Sequence, residues 1–473
     1  MLKIGPVAGG SKNKRGKEYM VVKKGREKMN TFIKRSVALA SVAVMAVAMT
    51  GCGGSTPKTA TEGQKFAGQT VRFVASNHTY TDAIKPLIPE FEKQTGIKVN
   101  MESYFEDQLT QKLTVELTSG ASTIDVFMTR PLQEGRLFSK NNWYEPLNPY
   151  LSDAKKTSAD WKWDDFQKSA VAATTLKDTT YAVPIVTEWQ TLFYRKDLFE
   201  QAGLQPPKTL EELEAAAKKL HNPSEGMYGI VSRGQRGAAV TQFSSYLYAY
   251  GGDFLKNGKC VLDSPEAIKA IQYYGRILNN YGPPGVTNMS WPQAQALMAS
   301  GKVAMWTDAS TLLPGLLDPQ KSKVSDKIGL AMFPAGPGGQ HPYMVVPWAV
   351  SISAQSKNKD AAWEFVKWLS SEEVMKKAQL AGNTTTRNAI WNDKEVLAKL
   401  HPGMADIAKQ MGAIAVPYDR PVMTAVVEAR DSIGDLLVKS IETGGTADIA
   451  GMVKDVVTKV DDLLTKSGEF GQQ

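Results

Sequence analysis

The chain predicts an α/β protein of two domains, and three observations carry that prediction. Short apolar or alternating strands recur between segments of helical spacing, the pattern of a mainly parallel sheet with crossover helices. The chain has 473 residues, and the part beyond its first fifty or so exceeds the roughly 100–200 residues that one core supports. It holds 2 cysteines, Cys52 and Cys260. Cys52 belongs to the amino-terminal segment, so no disulfide staples the remainder and a buried core must hold it.

Taken in order, Met1–Lys28 is basic, Gly-rich and without apolar periodicity. Met29-Asn30-Thr31-Phe32-Ile33-Lys34-Arg35 reads as a complete signal start, so translation is expected to begin at Met29. The apolar run Val37–Met49 is shorter than the roughly 20 residues of a spanning helix. A basic patch, a short apolar core and a small residue make a secretory signal. Thr50-Gly51-Cys52 resembles the end of a bacterial lipoprotein signal, with Met49 where that family usually has Leu. The resemblance implies lipid on the Cys52 thiol. Residues 52–67 then form a flexible tether, because Gly53–Ala60 is small and polar.

Val71, Phe73 and Ala75 alternate in a first strand. Asp82 is expected to cap a helix carrying Ile84, Leu87, Ile88 and Phe91, which Gly96 ends. Ile97–Tyr104 is a second strand, and Leu109, Leu113 and Leu117 mark one face of a second helix. Ile124–Met128 is a third, buried strand. Thr209 and Glu212 have capping-box spacing. Pro265 follows a capping Asp263 or Ser264. Asp360–Leu369, Ala425–Ile441 and Ile449–Leu464 read as amphipathic helices.

The formal net charge of +8 belongs to the leader. Residues 1–51 contain eleven Lys and Arg against Glu18 and Glu27, which leaves the rest near −1. That balance carries no signature of a nucleic-acid binder. No metalloprotease, nucleophile-elbow or phosphate-loop motif occurs. The four His, at 78, 221, 341 and 401, lack metal-ligand spacing. No cofactor is called for. A pair of cleft carboxylates, as in a glycan hydrolase, stays open from residues alone.

Several stretches, in order, resemble the bacterial extracellular solute-binding proteins of ABC importers, the family that includes maltose-binding protein. They are Phe91–Val99, Ile124–Phe127, Tyr181–Ile185 with Leu192–Phe199, Ala299–Trp306, Pro347–Ile352 and Lys359–Leu369. Met305–Ser310 and Ser322–Gly329 are most similar to the branch that imports monosaccharides and sugar alcohols. Asn383–Arg387 departs from the family in lacking a Pro before the Arg.

The resemblance implies a two-lobed periplasmic-binding-protein fold, each lobe a mostly parallel sheet flanked by helices, hinged at interlobe crossovers. Lobe 1 is expected at 68–184 plus 347–385, and lobe 2 at 185–346 plus 386–465. It also implies a carbohydrate ligand in the cleft, ABC permease subunits as partners, a monomer, no enzymatic activity, and export to the outer face of the membrane or the periplasm. A receptor-docking sensor is the other binding-protein reading.

Sugars and polyols call for planar polar groups and aromatic faces, placed just past strand ends. His78 and Tyr80 follow the first strand, and Asp107 and Gln108 start the second helix, where Asp107 is either a cap or a ligand contact. Arg130 follows the buried strand. Glu188 and Trp189 follow the first crossover, where the family commonly touches ligand. Trp306 and Asp308 end a strand, either facing ligand or serving as core and cap. Trp348 lies at the return crossover, Arg387 after the helix that follows, and Tyr418, Asp419 and Arg420 in a Pro-bounded loop. Trp161, Trp163, Trp363 and Trp368 are expected to be structural.

Overall fold

The computed structural model describes residues 65–472. The secretory signal, Cys52 and most of the tether lie outside the described residues.

One sheet of eight strands runs through the protein. In chain order these are β1 (Thr70–Ser76), β2 (Lys98–Tyr104), β3 (Val126–Thr129), β4 (Val183–Arg195), β5 (Tyr228–Val231), β6 (Val303–Ala309), β7 (Ile328–Met332) and β8 (Met344–Ile352). Their spatial order is β2-β1-β3-β8-β4-β6-β5, with β7 also paired to β4. β4 is 13 residues long and joins the two halves. Its first part pairs with β8, Glu188 lying opposite Val345, and its second part pairs with β6, Leu192 lying opposite Thr307. Within this sheet, every pair without β4 or β8 is parallel: β1 with β2, β1 with β3, and β6 with β5. Both ends of the sheet therefore follow β-α-β logic, and the antiparallel pairs sit at the crossings.

Two apolar clusters flank these crossings. The first gathers Val71, Phe73, Leu113, Phe127, Ile185, Val350, Phe365 and residues as far as Val396. The second gathers Phe193, Ile230, Phe243, Tyr274, Met305, Ile433 and residues as far as Leu464. Leu400 packs against both clusters, so the chain passes a third time between them near that residue. Before that crossing Thr384–Thr386 accompanies the first part of β4: Thr187 N–H donates to Thr384 O at 2.8 Å, and Thr386 Oγ1 donates to Pro184 O at 2.7 Å.

The helices used below are α1 (Thr79–Ile84), α2 (Glu106–Thr118), α3 (Gly135–Lys140), α4 (Leu210–Leu220), α5 (Arg236–Ala249), α6 (Pro265–Tyr281), α7 (Val426–Glu442) and α8 (Ile449–Ser467). The cap of α1 is His78, whose Nδ1 accepts from Tyr80 N–H at 3.0 Å, and Asp82 lies inside the helix instead of capping it. An imidazole in extended backbone reaches the free N–H groups that Asp82, four residues on, cannot. Thr209 caps α4, and Ser264 caps α6. α7 is buried along one face and approaches its neighbours at backbone distance. A Cβ at Gly434 would meet the Arg236 carbonyl carbon at 2.4 Å, and one at Gly275 the Ser440 carbonyl oxygen at 2.5 Å. These glycines set how closely α7 packs on α5 and α6, and with that the position of Arg430. No helix among the described residues is long and apolar enough to cross a membrane.

Candidate functional site

Between the two clusters lies a cleft of about 650 Å³. The carboxyl ends of four parallel strands feed it. β1 leads into Asn77 and His78, β3 into Arg130, β5 into Arg233, and β6 into Thr311. This is where an open parallel sheet presents loop side chains and helix amino termini together.

Of the residues singled out from sequence, His78, Asp107, Arg130, Glu188, Trp348, Asp419 and Arg420 line the cleft. The other seven do not, each for a physical reason. Tyr80 is turned into the first cluster and donates to the Leu369 carbonyl at 2.5 Å. Gln108 is exposed to solvent outside the cleft lining. Trp189 follows Glu188 on a strand, so the pleat sends it to the opposite face, where it packs on Trp391 with ring centroids 6.1 Å apart. Trp306 is buried in the second cluster against Phe193. Asp308 is buried beside it and holds other cleft groups in place. Arg387 has 0% exposure, lies 4.2 Å over the Phe166 ring, and donates to the Ser370 and Trp161 carbonyls at 2.8 Å each. Tyr418 donates to Asp253 at 3.0 Å, beyond the lining.

Asp308 is the anchor of the second lobe's wall. Its carboxylate accepts from Arg233 Nε at 3.1 and 3.0 Å, from Arg233 Nη2 at 2.5 Å, from Gln242 Nε2 at 2.9 Å, and from Trp306 Nε1 at 3.2 Å. The Arg233 fork is thereby fixed on one side. Among the described residues its Nη1 has no protein partner, and Arg233 lines the cleft.

On the first lobe, Arg130 donates to Glu134 at 2.8 and 3.1 Å and to Thr110 Oγ1 at 2.5 Å, and it lies 5.7 Å from the Trp348 ring. Burial works against the Glu106 carboxylate, yet Arg130, Arg233, His78 and Arg420 hold its pKa below the ordinary value. His78 stands 5.8 Å from the Trp348 ring, and burial brings its imidazole down to about 4 against the pull of Glu106.

Glu188 sits on β4 at the hinge. Its Oε2 accepts from Thr311 Oγ1 at 2.9 Å. Burial raises its carboxyl to about 7, with Asp419 and Glu106 adding to the rise and Arg233 and Thr311 opposing it. Asp419 accepts a two-point ion pair from Arg420 at 2.7 and 2.6 Å. Burial, Arg420 and Arg130 together lower the Arg430 guanidinium to about 9, against the pull of Asp419 and Asp107.

Sequence reasoning missed Arg233, Arg430, Gln133, Glu106, Phe105 and Trp291, all in the lining. Arg233 stands two residues past β5, so the strand-end rule used elsewhere would have found it. Arg430 lies within a helix and no local signal marks it. The described residues contain no cluster of His, Cys, Asp and Glu able to hold a metal ion.

With this geometry in hand, comparison with known proteins is direct. Residues 75–376 match the model of the family "Bacterial extracellular solute-binding protein". The mannitol-binding protein of Pseudomonas aeruginosa is 30% identical over 327 residues, covering 68% of this chain and 70% of that one. The erythritol/L-threitol-binding protein of Mycolicibacterium smegmatis is 27% identical over 367 residues, covering 72% and 77%. Among solved structures, an ABC transporter solute-binding protein of Agrobacterium radiobacter in complex with ribitol superposes with a TM-score of 0.77 at 28% identity, covering 84% of this chain and 99% of that one. Family match, two-lobed α/β fold and interlobe cleft agree, and the chain belongs to the bacterial extracellular solute-binding proteins.

Proposed function

We propose that this protein is the substrate-binding component of an ABC importer and captures a neutral polyhydroxy solute, a sugar alcohol or a small carbohydrate, in the interlobe cleft. The charge pattern of the lining carries the reading. Five arginines (130, 233, 236, 420 and 430) face six carboxylates (Asp82, Glu106, Asp107, Glu188, Asp419 and Asp431), with Trp348, Phe105 and Trp291 among them. Planar donors and acceptors in near balance suit paired hydroxyls, and aromatic faces suit C–H surfaces. An ionised ligand would leave one set of these groups uncompensated. The volume fits a site that encloses a small solute. The names of the relatives, which bind mannitol, erythritol or L-threitol, and ribitol, support the same class.

His78, Arg130, Glu188, Arg233, Trp348 and Arg420 are the ligand contacts in this reading. The protein binds and delivers without chemistry, acts as a monomer, and is exported and lipid-anchored through Cys52. Lobe 1 comprises the β1–β3 half with the return through β8, and lobe 2 the β5–β7 half with α7 and α8. The ligand stabilises the closed arrangement through its higher affinity for it, and the closed form docks on the permease.

Thermal unfolding against a panel of sugar alcohols, monosaccharides and oligosaccharides tests this. Ligand at a hundred times its Kd adds about 2.7 kcal/mol, or roughly 5–10 °C for a lobe of this size. A shift confined to one polyhydroxy class, with the compound recovered intact, is the expected result. A flat panel, or breakdown of the compound, overturns the reading. Incorporation of labelled palmitate into the wild type and not into Cys52→Ser tests the anchor.

A further inference from the structure

The two lobes are fastened directly to each other by a polar stripe on one segment of lobe 1. Gln133 Oε1 accepts from Arg420 Nη1 at 2.6 Å and from Arg430 Nη1 at 2.7 Å. Three residues on, Arg136 Nη1 pairs with Glu469 Oε1 at 3.1 Å. Four residues beyond that, Lys140 Nζ donates to the Ser467 carbonyl at 3.3 Å. Spacings of three and four place the three side chains on one face of α3 and its lead-in turn. Their partners all belong to the second lobe: the loop before α7, α7 itself, and the end of α8.

The receiving surface is built rather than incidental. Glu469 Oε2 accepts from Thr424 N–H at 2.9 Å and from Ser467 Oγ at 2.6 Å, which leaves Oε1 directed at Arg136. The carboxyl-terminal turn is itself tied down, with Gly471 N–H donating to Gly258 O at 3.0 Å. Phe105 of lobe 1 stacks on Trp291 of lobe 2 with centroids 6.1 Å apart, a further direct contact between the lobes. Arg136, Lys140, Ser467 and Glu469 do not line the cleft.

We propose that Arg136 and Lys140, continuing outside the cleft the lobe-to-lobe contacts that Gln133 makes at its edge, form a closure latch whose strength, independent of any ligand contact, sets the balance between open and closed lobes and so the residence time of the solute. The latch bonds connect lobe to lobe, so they exist only when the lobes are together, and they favour that state whether or not the cleft is filled. A bias of this kind raises apparent affinity because less of the ligand's binding energy is spent on closure. The biological purpose of the latch rests on the solute-capture reading, while its geometry does not depend on which solute binds.

The test is the double variant Arg136→Glu/Lys140→Glu, which reverses both charges outside the cleft. Spin labels at Lys93→Cys and Lys269→Cys, one on each lobe, report the interlobe distance by pulsed paramagnetic resonance. The ligand-free double variant is expected to populate longer distances than the labelled parent. Release of the best polyol from the panel is expected to be about 2- to 10-fold faster, with the association rate unchanged, the scale set by exposed ion pairs. Arg136→Lys, which keeps the charge, should behave as the parent. An unchanged ligand-free distance distribution overturns the latch, as does a Lys variant that behaves like the Glu variant. If no polyol binds at all, the functional reading falls while the distance measurement still decides the latch.

Discussion

Asp308→Ala probes the wall of the cleft most severely. The carboxylate is fully buried and takes hydrogen bonds from Arg233, Gln242 and Trp306 and from the Ala309 N–H at 2.7 Å. Removing it leaves the Arg233 guanidinium, on a side chain only 10% exposed, without its compensating charge. Breaking one side of a buried pair costs about 3–5 kcal/mol. The orphaned Gln242 and Trp306 donors would add to this if costs were additive, but groups in one network share a single relaxation. Arg233 also borders the cleft and can swing towards water, so the lower half of the range, about 3–4 kcal/mol, is expected. At 2–4 °C per kcal/mol for a lobe-sized unit, the melting temperature falls by roughly 6–16 °C.

Urea unfolding followed by circular dichroism reads this effect. Asp308→Asn keeps the shape and one acceptor and should lie between the wild type and Ala. Arg233→Met/Asp308→Ala removes both charges and should recover part of the stability lost by Asp308→Ala, because no uncompensated charge remains. It should not recover ligand affinity, since Arg233 is gone. A loss under about 1 kcal/mol for Asp308→Ala would refute the view that this carboxylate holds the wall together.

Other consequences are equally open to measurement. Trp348→Ala removes an aromatic face from the cleft and should weaken the best polyol by about 10-fold or more by titration calorimetry, on the scale of one aromatic burial; an unchanged Kd removes Trp348 from the site. Gly275→Ala would set a Cβ 2.1 Å from Ser440 Oγ and 2.5 Å from its carbonyl oxygen, and should cost about 1–3 kcal/mol in urea unfolding, whereas a neutral result would mean that α6 and α7 part freely. Two cleft groups make opposed contributions to the pH dependence. The folded state holds the Glu188 proton up to about 7 against an ordinary 4.5, so this group's contribution to stability falls as pH rises through that window. It sheds the His78 proton down to about 4 against an ordinary 6.5, so that contribution falls as pH drops from 6.5 to 4. Glu188→Gln removes the first contribution and should show a steeper loss of stability on acidification than the wild type; parallel curves for the two proteins would contradict the assignment.

What the sequence made legible and what it hid divide along a physical line. Strand alternation, caps and helical spacing are local, and β1–β3, the Thr209 cap of α4 and the long α7 and α8 follow from them. So do the cleft groups that stand just past strand ends, His78 and Arg130 among them. Trp189 shows the same rule applied incompletely. Its neighbour Glu188 faces the cleft, and a period of two sends the next residue to the other side. Trp306 and Asp308, two apart, do share a face, but β6 is covered on both sides and that face is core. No spacing rule reveals that Arg387 closes over Phe166 and Trp161, more than two hundred positions earlier. Nor does one reveal that Gln133 meets Arg420 and Arg430. Those pairings exist because the chain leaves each lobe and returns, so the residues that meet come from segments whose separation in sequence carries no trace of their contact. The affinity of such a protein is accordingly written in two places. In the proposed reading, strand ends compose the ligand surface, and the exposed face of α3 composes the closure that retains the ligand. A substitution far from the cleft can therefore change residence time without touching the solute.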